Sequence, residues 1–302
     1  MNRKSSISCQ ASDISQGPLV AVVGPTASGK SALALSLAKA FEGEIVAADS
    51  WTVRQELEIG TAKPTEQERA AVPHHMLDVV PPCADYTAVL FQRQAQAAIT
   101  DITSRGKVPI LVGGTGLYID SVLYDYTFSP PGPIEERQRL NELSIADLLA
   151  EAAKRQLDTS QIDVRNKRRI IRLIETNGYR PSKQPLRAQT CILGLRISKE
   201  VLHERIAARV DQMLTAGLER EVLHLSQKYS WDCEGLKGIG YIEWQDYFVG
   251  KKTLEQTRQQ IITNTKHLAK RQQTWFKRNA DIVWIDDITA AKQQLYTFLK
   301  EH

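Results

Sequence analysis

Gly24-Pro25-Thr26-Ala27-Ser28-Gly29-Lys30-Ser31 decides how the rest of this 302-residue chain is read. An apolar run, Leu19-Val20-Ala21-Val22-Val23, leads into it, and a helical pattern over residues 32–39 leads out. The octet fits G-x-x-x-x-G-K-[ST], the phosphate-binding loop, in the strand–loop–helix context that loop requires. Gly24 and Gly29 let the backbone curl so that successive N–H groups face one point. The following helix aims its positive end at the same point. Lys30 adds a full charge, and the Ser31 hydroxyl can ligate Mg²⁺. A glycine turn that binds nothing has no need for the strand, the helix and all eight positions to agree. The stretch is built for linked phosphates, but it does not name the molecule or the reaction.

Outward from the loop, buried strands are expected at 19–23, 44–48, 108–112, 191–197 and 281–285. Helical patterns lie between them, at 86–104, 199–229 and 254–278 among others. This alternation predicts an α/β fold, a P-loop NTPase-like parallel sheet flanked by helices. Asp49-Ser50 ends the second strand, where parallel sheets gather functional groups. Asp49 is either such a group or the cap of a following helix, and position alone favours neither. Gly113-Gly114-Thr115-Gly116 ends the third strand, as plain turn chemistry or as a backbone edge with the Thr115 hydroxyl close to a ligand. The pair His74-His75 invites a metal reading, but adjacent residues rarely converge on one ion. A loop anchored by ring hydrogen bonds is the better reading.

The character changes after Tyr124. Ser129-Pro130-Pro131-Gly132-Pro133 marks a boundary, and residues 134–187 carry helical periodicity without a buried strand. Strand character then returns, so the helical segment is an insertion. The expected organisation is a disordered tail over 1–17, a catalytic core over 18–124 and 190–302, and an inserted helical domain over 125–189. Between 163 and 187 lie Arg165, Lys167, Arg168, Arg169, Arg172, Arg180, Lys183 and Arg187 against only Asp163 and Glu175. That imbalance points to an anionic partner. A second basic stretch, 266–278, holds Trp275 and Phe276, read as packing the helix on the sheet rather than stacking on bases.

Composition narrows the rest. With 42% hydrophobic and 25% charged residues the chain has ordinary globular composition, and its net charge of +4 confines any nucleic-acid footprint to local clusters. No apolar run nears the roughly 18 residues of a membrane span. Cys9, Cys83, Cys191 and Cys233 share no close spacing, so neither a zinc site nor a disulfide framework is expected, in keeping with a reducing cytoplasm.

Three functions remain open on these residues. A small-molecule kinase would grip ATP in the loop under an arginine-rich lid. A transferase would grip a diphosphate leaving group while RNA is held elsewhere. A nucleotide switch would need loops that sense a γ-phosphate, and it lacks a guanine-reading N-K-x-D. Two separate basic regions and a carboxylate available as base favour the transferase.

Residues 24–31, Asp49-Ser50, I-G-T-A-K-P at 59–64, residues 73–78, L-V-G-G-T-G-L-Y at 111–118, residues 205–222, 238–241 and 269–276 occur in one order along the chain. In this combination the sequence resembles the bacterial tRNA dimethylallyltransferases, also called tRNA isopentenyltransferases. The resemblance implies transfer of a dimethylallyl group from dimethylallyl diphosphate to N6 of the adenine at tRNA position 37, with Mg²⁺, by a cytoplasmic monomer. It implies catalytic roles for Asp49 and Thr115, and a donor site of Gly24, Pro25, Thr26, Ala27, Ser28, Gly29, Lys30, Ser31 and Arg209. Asp49, Ser50, Trp51, Thr52, Thr115 and Arg137 would line the tRNA side, with Arg168, Arg169 and Arg172 gripping the anticodon stem-loop. The chain departs from the family at Thr52 and Arg54, where a Gln and a Tyr are usual, and in Thr265-Lys266-His267, where T-R-Q is usual.

Overall fold

The computed structural model describes residues 17–129, 132–179 and 182–301. The tail expected over 1–17 lies outside them except for Gly17. The chain forms two compact units: one runs to Leu123 and resumes at Leu186, and the other is Tyr124–Pro185.

The first unit is built on six parallel strands, β1 (Leu19–Val23), β2 (Gly43–Ala47), β3 (His74–His75), β4 (Val108–Gly113), β5 (Thr190–Leu195) and β6 (Ile282–Ile285). They lie in the order β3-β2-β4-β1-β5-β6. β1 pairs with β4 on one side and β5 on the other, and all five of its residues are buried. A strand covered on both faces has no polar face to show, which is why it reads as an unbroken apolar run. From β1 the chain turns to β2 on one side and later fills β5 and β6 on the other. Such a reversal opens a crevice beyond the carboxyl ends of the strands.

The helices of this unit are α1 (Lys30–Ala40), α2 (Glu66–Ala71), α3 (Ala88–Ser104), α4 (Gly116–Leu123), α8 (Lys199–Ala216), α9 (Leu218–Lys228), α10 (Trp244–Phe248), α11 (Leu254–Phe276) and α12 (Ile288–Glu301). Leu33, Leu37 and Leu295 pack with Val20, Val22 and Leu193 on one face of the sheet. A separate apolar cluster joins Ile206 and Val210 of α8 to Trp244 and to Ile261 and Ile262 of α11.

The second unit holds α5 (Ile134–Glu142), α6 (Ile145–Lys154) and α7 (Lys167–Glu175). Leu140, Leu148, Ala152, Ile170, Ile171 and Ile174 form its own core. α7 alternates isoleucine and arginine at helical spacing, so one face is buried while Arg168 and Arg169 are exposed.

Three expectations are corrected. Residues 199–229 are two helices, because Gly217 adopts φ 101°, a left-handed conformation that ends α8 and starts α9. The histidine pair has the ring hydrogen bonds expected of it, His74 Nδ1 to Val72 O and His75 Nε2 to Glu44 Oε2, both 2.7 Å. It is nevertheless an edge strand, registered with Ile45 and Val46 of β2. Two residues are too short for any periodicity to announce a strand. Finally, Cys83 and Cys233 form a disulfide with their Cα atoms 4.6 Å apart. Their separation of 150 residues hides a proximity that only the tertiary fold creates. Cys191 is a free thiol that burial pushes up to about 11.

Candidate active site

The loops that follow β1, β2 and β4 supply the site. Gly29 takes φ 98° and no side chain caps the first turn of α1, so the positive helix end is presented to the crevice. Ala27 also has positive φ, 62°, part of the curl that gathers the loop's N–H groups. The loop is held from outside. Thr26 N–H donates to Gln272 Oε1 of α11 at 2.8 Å, and Arg205 Nη1 of α8 donates to the Ser28 carbonyl at 3.1 Å.

Asp49 follows β2 after one residue, Ala48. Its Oδ1 accepts the Trp51 N–H at 2.9 Å, an Asx turn, and residues 50–53 are turn rather than helix. The capping reading of Asp49 is thereby replaced by a turn that leaves its second carboxylate oxygen outside that bond. The Thr115 hydroxyl accepts the Ser50 N–H at 3.1 Å, tying the β4 loop to the Asp49 loop. Gly113 makes this approach possible, since a Cβ there would stand 2.0 Å from the Ala48 carbonyl oxygen. Gly116 likewise lies under the Trp275 ring, whose Nε1 donates to Asp120 at 3.2 Å. Trp275 is a packing residue, as its sequence context suggests.

Lys30, Ser31, Asp49, Thr52 and Arg209 line one cavity of about 160 Å³, with Val210, Met213, Ile239 and Leu268 forming apolar wall. The loop lysine, the strand-end carboxylate and Arg209 are thus brought together in one cavity. Enclosure in this wall, with Arg209 close by, pushes the Lys30 ammonium down to about 8 despite the opposing pull of Asp49. Enclosure and crowding of like charge have this effect because the charged form loses hydration. Two cations facing one carboxylate leave a surplus of positive charge for an anion.

The I-G-T-A-K-P loop is a support for this cavity. Glu221 of α9 accepts N–H bonds from Ile59 at 2.8 Å and Gly60 at 3.1 Å, and the Tyr241 hydroxyl at 2.7 Å. Lys63 is buried and pairs with Glu58 and Asp78 while donating to the Arg54 carbonyl. Gln272, Glu221, Tyr241 and Lys63 are functional supports that sequence reasoning left without roles. Gln272 and Glu221 have partners 246 and 162 residues away, so no local pattern announces them.

A family model described as IPP transferase matches residues 52–279, and one described as isopentenyl transferase matches residues 17–78. The chain belongs to the IPP transferase family. A relative from Geobacillus thermodenitrificans named tRNA dimethylallyltransferase is 40% identical over 89% of this chain and 90% of its own. One of the same name from Bacillus subtilis is 38% identical over 93% and 96%. The solved tRNA isopentenylpyrophosphate transferase of Bacillus halodurans superposes with a TM-score of 0.74 at 34% identity, covering 94% of this chain and 97% of that one. A eukaryotic dimethylallyltransferase described as acting on tRNA gives 0.77 at 27% identity, over 89% and 74%. Family membership makes the chain a prenyltransferase with a P-loop NTPase-like fold.

Among the residues carried over from the family, Arg137 of the second unit pairs with the buried Glu175 carboxylate. Arg172 also approaches Glu175 and donates to the Ser129 carbonyl at 2.7 Å. These two arginines therefore have structural work within their unit. Arg168 and Arg169 are exposed on α7. Arg165, also exposed, is paired with Asp163 at 2.9 Å.

Proposed function

We propose that this IPP transferase moves a dimethylallyl group from dimethylallyl diphosphate to N6 of the adenine at tRNA position 37. The reading rests on one observation, the cavity that sets Lys30, Asp49 and Arg209 against an apolar wall. The diphosphate lies on the loop amides, Lys30 and Arg209. The apolar wall of Val210, Met213, Ile239 and Leu268 offers the five-carbon chain a surface to lie on. The adenine leaves its stack to enter the site, as bases must when their edges are to be modified. Its N6 lone pair is delocalised into the ring, so the amine needs help from a base. Asp49 takes the N6 proton as the new N–C bond forms and the donor's C–O bond breaks. Charge growing on the leaving diphosphate meets donors already aimed at it.

Hydroxyl and carboxylate oxygens are hard ligands that suit Mg²⁺, and Ser31 and Asp49 line the same cavity. Among the described residues no three His, Cys, Asp or Glu side chains group to hold an ion, so its other ligands would be diphosphate oxygens and water. Bound there, Mg²⁺ would supply further charge neutralisation for the diphosphate.

For tRNA we assign the grip on the anticodon stem to Arg168 and Arg169, which α7 exposes side by side. No helix among the described residues is long and apolar enough to cross a membrane. The proposed setting is the cytoplasm, with the enzyme acting as a monomer. Replacing Arg168 and Arg169 by alanine is expected to weaken tRNA binding and to lower its salt dependence by somewhat under about 1 per lost phosphate contact. Titrations at several salt concentrations check this, and superimposable curves for the variant and the parent would remove α7 from the interface.

A pH effect follows from Lys30, whose ammonium burial pushes down to about 8. The charged ammonium binds diphosphate and the neutral amine does not. Donor affinity should therefore hold below pH 8 and fall as pH rises through it. The single-turnover rate at saturating donor should change far less, because bound diphosphate holds the proton on Lys30. Donor Kd measured from pH 6.5 to 9.5 reads this directly, and a flat profile would contradict it.

The function itself is tested by incubating the protein with dimethylallyl diphosphate, Mg²⁺ and tRNA and analysing nucleosides by mass. N6-dimethylallyladenosine in the tRNA is expected. Prenylated free AMP with unmodified tRNA would identify an adenylate-prenylating enzyme instead, and phosphate transfer from ATP would identify a kinase.

A further inference from the structure

Two features have no part in this chemistry, the buried Arg54 and the Cys83–Cys233 disulfide, and they meet at one place. Arg54 is only 4% exposed. Its Nη1 donates to the carbonyls of Pro82 at 2.7 Å and Ala84 at 2.8 Å, which flank Cys83. Its guanidinium stands 5.8 Å from the centre of the Trp51 ring. Across the disulfide, Gly235 N–H donates to the same Pro82 carbonyl at 2.9 Å. Three residues on, Gly238 lies against Trp51 so closely that a Cβ would come within 3.0 Å of its ring. Trp51 N–H holds Asp49 Oδ1.

These contacts form a closed circuit. It runs from Asp49 through Trp51 and Arg54 to the 82–84 turn, across the disulfide to residues 233–238, and back to Trp51. Its other joints are non-covalent, and a hydrogen bond contributes only about 1 kcal/mol net. The disulfide is the one covalent bond between the two sides, which are 150 residues apart in sequence. The rigid planar head of a guanidinium can reach both carbonyls from Nη1 while its other atoms extend toward Trp51, a span that a compact ammonium on a flexible stem does not fix.

We propose that Arg54 and the Cys83–Cys233 disulfide form a strap that positions the Trp51 turn, and through it the Asp49 carboxylate, so that thiol–disulfide exchange at this bond sets the transfer rate. The inference rests on the reading of Asp49 as the base. Cys83 is exposed and Cys233 is buried, so exchange begins at Cys83. An external dithiol supplies the two electrons. Its first thiolate attacks a disulfide sulfur to give a mixed disulfide, and its second thiol then closes the oxidised dithiol. Two protein thiols are left, which take up the two protons. A cytosolic disulfide reached in this way is poised for exchange. Reduction leaves Arg54 in place but removes the covalent tie between the 82–84 turn and residues 233–238, leaving the Gly235 N–H bond to Pro82 to hold them.

The test uses the full chain purified without reductant, with its thiol content measured by alkylation and mass. Single-turnover transfer to tRNA at saturating donor is compared before and after treatment with dithiothreitol. Reduction should slow transfer by about 3- to 30-fold, the scale of a small misplacement of a reacting group. Donor Kd should stay unchanged, and reoxidation should restore the rate. Cys83→Ser with Cys233→Ser should show the reduced rate and ignore the dithiol. Arg54→Met should slow the oxidised enzyme with donor Kd again unchanged, and Arg54→Lys should not rescue it. Free thiols at both cysteines in the air-purified protein would overturn the strap, as would equal rates in the two states or a donor affinity that falls in step with the rate. Equal, substantial rates would leave the transferase reading standing, whereas no transfer in either state would remove that reading and the strap with it.

Discussion

Asp49→Asn is expected to lower the single-turnover rate of dimethylallyl transfer by about 10²–10⁴ while leaving donor and tRNA affinities within a few-fold of the parent. Asparagine keeps the size of the side chain. Its Oδ1 can still accept the Trp51 N–H that shapes the turn, a bond of 2.9 Å in the parent. What it cannot do is accept the N6 proton. The contrast between rate and affinity is the informative part, because asparagine preserves the turn, so a residue that only shaped the turn would lose neither binding nor rate. Thr115 offers a comparison. Its hydroxyl accepts the Ser50 N–H beside Asp49, so Thr115→Val should disturb the same loop while retaining the carboxylate. A variant at Asp49 that kept the chemical step would assign the proton to another group.

Lys30→Ala should weaken donor binding and turnover by about 10- to 100-fold, the loss of a charge-assisted contact worth about 1.5–3 kcal/mol. tRNA binding should be spared. Arg209, on α8, faces the same cavity and would still hold part of the diphosphate charge, which keeps the loss from being total. The double variant with Arg209→Ala should lose more than either alone, and donor titration by calorimetry measures each step. Normal turnover of Lys30→Ala would move the donor away from residues 24–31.

The parts of this molecule that its sequence announces are those whose function is local. The phosphate loop carries its purpose in eight consecutive residues, since backbone curl, lysine and helix end are all within one turn of chain. β1, β4 and β5 read as strands because both their faces are covered and their apolar runs are unbroken. Asp49 could be singled out only by its place after β2. The Asx turn to Trp51, which decides against a helix cap, is a matter of side-chain direction that spacing does not carry. What stays hidden depends on contacts across the chain. Gln272 holds the Thr26 N–H from 246 residues away, and Glu221 holds the Ile59 N–H from 162. Either residue in isolation is a polar side chain on an amphipathic helix. The disulfide is hidden for the same reason. On α7 the arginines look alike in sequence, and only the fold sets Arg172 against Ser129 and Glu175 while leaving Arg168 and Arg169 exposed.

In the proposed reaction one cavity holds the donor's diphosphate on the loop and its reacting carbon near Asp49. A crystal structure with Mg²⁺ and a non-reactive thio-analogue of dimethylallyl diphosphate tests it most directly. Diphosphate oxygens are expected on the amides of residues 27–31, on Lys30 Nζ and on the Arg209 guanidinium. The five-carbon tail is expected against Val210, Met213 and Leu268, with the first carbon facing the Asp49 side. A diphosphate bound away from Lys30, or a tail pointing out of the cavity with Asp49 turned from it, would contradict the account.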